Sequence, residues 1–255
     1  MRTIKKVASH IFIDGFGGMT QGLFATLIIG TMIQQIGLLI GGSTGNVIYL
    51  LGKAAAALTS AGIGVGVAVK YGESPLVTVS AAVAAMVGGY AGKITGGTFF
   101  VDGNAVLAGP GEPLGAFIAA FAGITCGHLV SGKTKVDIIV TPVITIGAGS
   151  VVGLLVGPPI SQMMTGLGSI INWATEQRPF IMGIVVSVVM GMVLTLPISS
   201  AALGIILNLS GLAAGAATIG CCCNMVGFAV ASYRENKFGG LVAQGLGTSM
   251  LQVPN

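Results

Sequence analysis

The sequence predicts an all-α polytopic membrane protein built from two duplicated helical repeats with re-entrant hairpins. Three observations predict it. Of the 255 residues, 53% are hydrophobic and only 7% are charged, against about 25% charged in an ordinary soluble domain. So few charges cannot cover a water-facing surface, which makes lipid the solvent for most of the chain. Glycine occurs 43 times. It is costly inside soluble helices, yet it lets transmembrane helices pack backbone to backbone and permits bends where irregular chain lines a cavity. Finally, the sequence recurs in register. Gly37-Leu-Leu-Ile-Gly41, Leu51-Gly52 and Thr59 return as Gly153-Leu-Leu-Val-Gly157, Leu167-Gly168 and Thr175. Gly88, Gly92, Thr95, Gly97 and Glu112 return at a second constant displacement as Gly211, Gly215, Thr218, Gly220 and Glu235. In so apolar a chain, duplication is the mark of a transporter with its site between related halves.

In chain order, residues 1–14 read as a basic amphipathic surface helix, with Ile4, Val7, Ile11 and Phe12 on one face and Arg2, Lys5 and Lys6 on the other. Such a helix suits an anionic membrane surface. The first repeat covers 15–132 and the second 133–255. The first span runs from about 21 to 40, close to the 20 or so residues a crossing helix needs. Residues 44–60 and their equivalents 160–176 read as lateral segments. Further spans are expected over 61–70, 75–92, 114–131, 137–157, 179–197 and 199–219. The chain stops abruptly at Gln252-Val-Pro-Asn255, and a longer native chain is expected.

Three basic clusters, Arg2/Lys5/Lys6, Lys133/Lys135 and Arg234/Lys237, fall on the cytoplasmic side by the positive-inside rule and put the N-terminus inside. The net charge of +4 comes without a basic run of nucleic-acid type, which speaks against a nucleic-acid partner. Cys126 stands alone and Cys221-Cys222-Cys223 lack metal-ligand spacing and a nearby histidine, so packing rather than a metal or redox site is expected. No Ser-His-Asp set is apparent, and Gly132-Lys-Thr lacks the upstream glycine of a P-loop. No catalytic residue, cofactor or metal is expected.

The stretch 96–113 is too polar and too broken by Gly and Pro for a lipid-facing helix, and too apolar for an ordinary loop. It reads as a re-entrant hairpin presenting Asp102, Asn104 and Glu112 to a substrate, carboxylates being strong acceptors for hydroxyl groups. The alternative is an external loop with a solvated Asp and Glu. In the second half, Asn172 and Glu176 either enter the cavity or sit at the interface with Arg178 and Trp173. Ser199 and Ser200, in Leu196-Pro-Ile-Ser-Ser-Ala-Ala202, mark a helix break whose hydroxyls could line a pathway. Asn224 is a polar group at membrane depth that needs a ligand or a neighbouring helix. His128 is expected to cap helix carbonyls.

At Gly111-Glu-Pro113, together with Ser131-Gly-Lys-Thr-Lys-Val-Asp-Ile-Ile-Val-Thr-Pro142, Leu196-Pro-Ile-Ser-Ser-Ala-Ala202, Asn224-Met-Val-Gly-Phe-Ala-Val-Ala-Ser-Tyr-Arg-Glu-Asn-Lys237 and Gln244-Gly-Leu-Gly-Thr-Ser-Met-Leu-Gln-Val-Pro-Asn255, the chain resembles the membrane-embedded enzyme IIC subunits of bacterial phosphotransferase systems. The closer match is to their PfoR-type branch. The resemblance implies an enzyme IIC-like fold in the bacterial inner membrane and a homodimer. It also implies separate IIA and IIB subunits as partners, and a sugar or similar small polar molecule as substrate. In sugar-transporting members a Glu-Pro glutamate and a histidine contact the sugar; by motif only Glu112 carries over. No phosphocysteine or phosphohistidine signature is present, which puts phosphorylation by this chain in doubt. The expected function is translocation. The alternatives are a membrane sensor that controls gene expression without net transport and, more distantly, a channel or lipid-handling protein.

Overall fold

The computed structural model describes residues 14–107, 109–195, 204, 207 and 209–247. It divides into two compact units, residues 1–162 and 163–255, parting inside one long helix. The expected amphipathic helix at 1–14 lies almost wholly outside the described residues, as do Ser199 and Ser200. Helices dominate both units, as the composition requires.

The first unit begins with α1 (Phe16–Leu23), which passes through a π-helical turn at Phe24–Ile28 into α2 (Ile29–Ile40). Gly41, at φ 66°, ends α2, and α3 (Gly42–Ala57) turns back. After a 53° bend at Leu58 the chain continues as α4 (Thr59–Lys70). These two long arms pack antiparallel through facing glycines: Gly18 meets Gly66, Gly22 meets Gly62, Gly30 meets Gly52 and Gly37 meets Gly45. A Cβ on Gly18 would lie 2.6 Å from the Gly66 carbonyl oxygen, and one on Gly30 would lie 2.8 Å from that of Gly52. Only glycine permits such an approach. The expected lateral segment 44–60 is therefore the helix α3, laid along α2 and inclined to α4.

Helix α5 (Pro75–Gly89) starts where Ser74 accepts the Val77 amide at 3.4 Å and Pro75 takes the first helical position, where its missing N–H costs nothing. After a short α6 (Ala91–Thr95) comes a two-stranded hairpin, β1 (Phe100–Val101) and β2 (Asn104–Ala105), with Val101 opposite Asn104. Helix α7 (Pro113–Val130) returns antiparallel to α5. Gly88 faces Gly115, while Gly123 and Gly149 bring α7 against the start of α8 (Asp137–Gln177). The core of the unit is a small-residue core: Ile63, Val67, Val77, Ala81, Ala84, Ala85, Ala116, Ala119 and Ala120 are all buried.

Helix α8 corrects one expectation. A span over 137–157 followed by a lateral segment was predicted, but a single 41-residue helix runs through Pro142, Pro158 and Pro159. Proline removes one donor and bends a helix, but it does not end one whose ladder continues on both sides. The helix contains an apolar stretch long enough to cross a membrane.

In the second unit α9 (Pro179–Thr195) and α10 (Gly211–Ala231) run parallel. Ser187 Oγ donates to the Ala216 carbonyl at 2.7 Å, and further along Gly191 meets Gly220. Val186, Met190 and Ala217 form the buried centre of this pair. Of the span expected at 199–219, residues 199–203, 205, 206 and 208 lie outside the described residues; further on, Ser210 is extended, Gly211 has φ 52°, and the helix they start runs on to Ala231. Helix α11 (Tyr233–Val242) and a π-helical turn at Ala243–Gly247 complete the described chain.

Among the described residues four helices are long and apolar enough to cross a membrane, Phe16–Ile40, Pro113–Val130, Asp137–Gln177 and Gly211–Ala231, and the bent pair α3–α4 makes a fifth if it crosses as one span. Their outward faces are apolar, with Leu39 87% and Leu155 71% exposed, as lipid-facing surfaces are. The chain is a multi-pass, all-α membrane protein. The first run of recurring residues places Thr59 and Thr175 alike, both buried and both donating to a carbonyl of the preceding turn. The second run meets unlike structure, since Gly88 lies near the end of α5 whereas Gly211 opens α10.

Candidate substrate site

The segment Gly109–Glu112 leads into α7, and its backbone is shaped by glycines at φ 80° (Gly109) and φ 76° (Gly111). Three helix ends hold it. Ser60, in the first turn of α4, donates to the Pro110 carbonyl at 3.0 Å. The Glu112 amide donates to the Gly89 carbonyl at the end of α5 at 2.7 Å. Tyr90, 1% exposed, donates to the Gly109 carbonyl and lies 3.2 Å from the Ala57 carbonyl at the end of α3. A Cβ on Gly111 would strike Ser60 Oγ and lie 3.2 Å from the Tyr90 ring, so glycine is required there twice over, for its φ and for the close approach.

This frame places the Glu112 side chain at the N-terminus of α7, half-buried, where its carboxylate accepts the amides of Leu114 at 3.2 Å and of Gly115. Burial pushes the Glu112 carboxyl above its ordinary pKa, while the amides of Gly115 and Leu114 pull it down. The helix dipole also favours an anion at this position. A carboxylate offers about four lone-pair sites, and α7 uses two of them.

Asp102 and Asn104 stand apart from Glu112, on the exposed tip of the hairpin. Asp102 and Gly103 form the turn at φ 51° and φ 76°, the type I′ geometry that matches strand twist. The Asn104 side-chain Nδ2 donates to the Asp102 carbonyl at 3.3 Å. An aromatic run joins the hairpin to the frame below: the Phe100 and Phe99 rings are 4.9 Å apart and those of Phe99 and Tyr90 5.3 Å, with the Lys93 ammonium 5.3 Å from the Tyr90 ring. Ser60 and Tyr90 were missed by the sequence reading. A lone tyrosine closing the apolar run 75–92 was the available signal, since a buried phenol needs a partner.

His128 does not cap helix carbonyls. It reaches the other way, Nδ1 lying 2.9 Å from Glu73 Oε1 in the turn between α4 and α5. Among the second-unit candidates, Asn172 accepts the Ser210 amide at 3.0 Å and so fixes the start of α10. Glu176 is exposed near the end of α8, and Glu235 is exposed in the first turn of α11. Asn224 faces Gly191 and lines a shallow pocket of about 240 Å³ with Cys223, Gly227 and Phe228. A wider apolar groove of about 510 Å³ runs between α9 and α10, past Phe180, Gly183, Ser187 and Gly215. All four cysteines are free, with Cys221 against the Met190 carbonyl, and no group of three metal-ligating side chains occurs among the described residues.

No curated protein and no solved structure matches the chain. A family model described as "Phosphotransferase system, EIIC" does, over residues 13–255. The match takes in the Gly-Glu-Pro turn, the hairpin and both units, and by it this chain belongs to the EIIC family of the phosphotransferase system, as a membrane-embedded, transporter-type component that works with other subunits of that system.

Proposed function

We propose that this protein translocates a sugar or a similar small polyhydroxy molecule, and that Glu112 is the acceptor that holds it, with Asp102 and Asn104 of the hairpin closing over the bound molecule. One observation carries the reading. A carboxylate sits half-buried at a junction of four helix ends, where burial disfavours its charge and only part of its accepting capacity is used. A structural cap alone is more cheaply made by Ser, Thr or Asp in water. A sugar hydroxyl would complete the hydrogen bonding of a group already withdrawn from solvent. In this reading the protein is a homodimer of the bacterial inner membrane, of the PfoR-type branch, with its N-terminus in the cytoplasm and IIA and IIB subunits as partners.

Purified protein in sealed vesicles, offered labelled sugars and polyols in turn, tests it. Saturable uptake of one of them, lost on Glu112→Gln, is expected. Binding without flux would instead make the chain a membrane sensor, and neither binding nor flux across the series would overturn the proposal.

A further inference from the structure

The groove between α9 and α10 takes no part in the substrate reading, and its shape follows from where the glycines stand. Both helices run the same way and touch at one level. There Ser187 Oγ donates to the Ala216 carbonyl at 2.7 Å, and a Cβ on Gly220 would strike the Ser187 carbonyl. From that contact back to the first turns, at Pro179 and Gly211, a cleft of about 510 Å³ stays open. A Cβ placed on Gly183 or Gly215, which line it, would meet no atom of the described residues within 4 Å. Phe180, Ile184, Leu212 and Ile219 are exposed along its sides. Both side-chain hydroxyls in its lining donate within the protein, Ser187 to Ala216 and the buried Thr175 to the Ile171 carbonyl at 2.7 Å. What the walls offer an occupant is hydrocarbon.

We propose that this cleft holds one acyl chain of a membrane phospholipid, as a fixed lipid site rather than part of the passing lipid around the molecule. The cleft opens on the lipid-facing surface, because its sides are exposed apolar residues of the crossing helix α10 and of its apolar neighbour α9. The interface that lipid already makes with the chain thus continues into it. Its near end lies at Pro179, directly after Trp173, Glu176 and Arg178, all exposed, and a tryptophan with charged residues at a helix end belongs to the membrane–water boundary. Polar at the mouth and apolar along its length, the cleft matches an amphiphile. Glu176 and Arg178, the charges at this level, have opposite signs, so the mouth has no net charge with which to select a headgroup. The chain is the part recognised. The contact that closes the far end decides against a helix of a second copy. A helix is about 10–12 Å across with its side chains and would rest on Phe180, Ile184, Leu212 and Ile219 without reaching the glycines. A single hydrocarbon chain is narrow enough to lie on them, and it supplies the dispersion contacts that an unfilled slot forfeits.

The test uses the full chain in nanodiscs of phosphatidylcholine that carries a photoactivatable diazirine midway along one acyl chain, with labelled peptides mapped by mass spectrometry. Labelling of residues 180–188 and 212–219 severalfold above that of an equally exposed apolar stretch, such as the one around Leu155 on α8, is expected. The double variant Gly183→Leu, Gly215→Leu fills the cleft and should remove that excess while labelling around Leu155 stays as in wild type. Gly183→Ala with Gly215→Ala adds only methyl groups for which there is space; it should lower the excess in part, and it carries the test if the leucine pair does not fold. A second arm separates chain from headgroup. Delipidated wild-type protein should gain thermal stability from dioleoylphosphatidylcholine, as a bound ligand confers, but not from the dihexanoyl form, whose chains are too short to follow the cleft. Even labelling of all exposed apolar faces, an excess that survives filling, or equal stabilisation by both lipids would overturn the proposal. So would loss of a dimer in the filled variant, which would give the cleft to a second copy. None of these readouts involves substrate or Glu112, so a failure here is distinguishable from a failure of the substrate assignment.

Discussion

Replacing Glu112 by Gln separates a substrate group from a helix cap. The amide keeps one carbonyl oxygen for the Leu114 amide but turns an NH₂ group towards the Gly115 amide, so one of the two capping bonds is lost. Capping losses run from about 0.5 to 2 kcal/mol, and the lost charge at the helix N-terminus adds about 0.3 to 1 kcal/mol. Against this, the neutral amide escapes the burial that disfavours the carboxylate. These contributions oppose one another, and net stability is expected to stay within about 1 kcal/mol of wild type. Substrate binding has no such compensation. Exchanging a charge-assisted hydrogen bond for a neutral one forfeits about 1.4 kcal/mol or more, a tenfold weaker Kd. Equilibrium binding of the substrate found by the uptake screen, with thermal unfolding of the same samples, provides the measurement. An unchanged Kd, whatever the stability does, would remove Glu112 from the site and leave it a cap. The pH dependence has a definite sign. Because the folded-state carboxyl lies above its ordinary value of 4.5, its ionisation withdraws stability as pH rises from that value through the folded-state pKa. The stability of Glu112→Gln relative to wild type should therefore improve across that window; a constant difference would refute the burial argument.

Three further outcomes follow from the packing. Gly18→Ala should destabilise by about 1–3 kcal/mol, because its Cβ meets backbone of α4, whereas Gly166→Ala, with nothing within 4 Å, should leave the unfolding temperature nearly unchanged; equal effects would discredit the glycine contacts. Gly103→Ala puts a Cβ at φ 76° at a cost of about 1–2 kcal/mol, and hydrogen exchange should quicken at the Val106 amide, which bonds to Phe99. Ser60→Ala frees the Pro110 carbonyl and should cost about 1 kcal/mol and weaken substrate binding through the loosened Gly-Glu-Pro turn, with partial recovery in Ser60→Thr; binding that stays at wild-type strength would show that the turn does not depend on Ser60.

The spans expected over 21–40, 61–70, 75–92 and 114–131 fall on helices at 16–40, 59–70, 75–89 and 113–130, because hydropathy and punctuation agree there: Gly41, Ser74-Pro75 and Glu112-Pro113 mark ends that the structure also uses. Reading failed where the two conflict. Pro158-Pro159 looked like a boundary, yet the ladder on either side carries α8 through. In the second unit the start of α10 depends on Ser210 and a left-handed Gly211, an ordinary pair of residues in a chain so rich in both small polar residues and glycine. Glu112 stood out by its place in the 96–113 stretch, its recurrence as Glu235 and the Glu-Pro motif of the resembled family. Its frame was invisible: Ser60 is 50 residues away in sequence from the carbonyl it holds, and Tyr90 reaches across two loops to Gly109 and Ala57. Nor could spacing show that Asp137 serves its own loop or that His128 turns to Glu73.

The facing glycines of α1–α2 and α3–α4 bear on how such a molecule could move. Where main chains touch with no side chain between them, the two rods cannot slide past one another without carbonyls colliding, and no rotamer can yield to let them. They are bound to travel together, as one stiff blade. Flexing is left to the places where the stacking is interrupted, the Gly41–Gly42 reversal and the bend at Leu58. The second of these adjoins Ala57, whose carbonyl faces the Tyr90 hydroxyl. A swing of the blade about Leu58 would therefore tug on the same phenol that steadies the Gly-Glu-Pro turn.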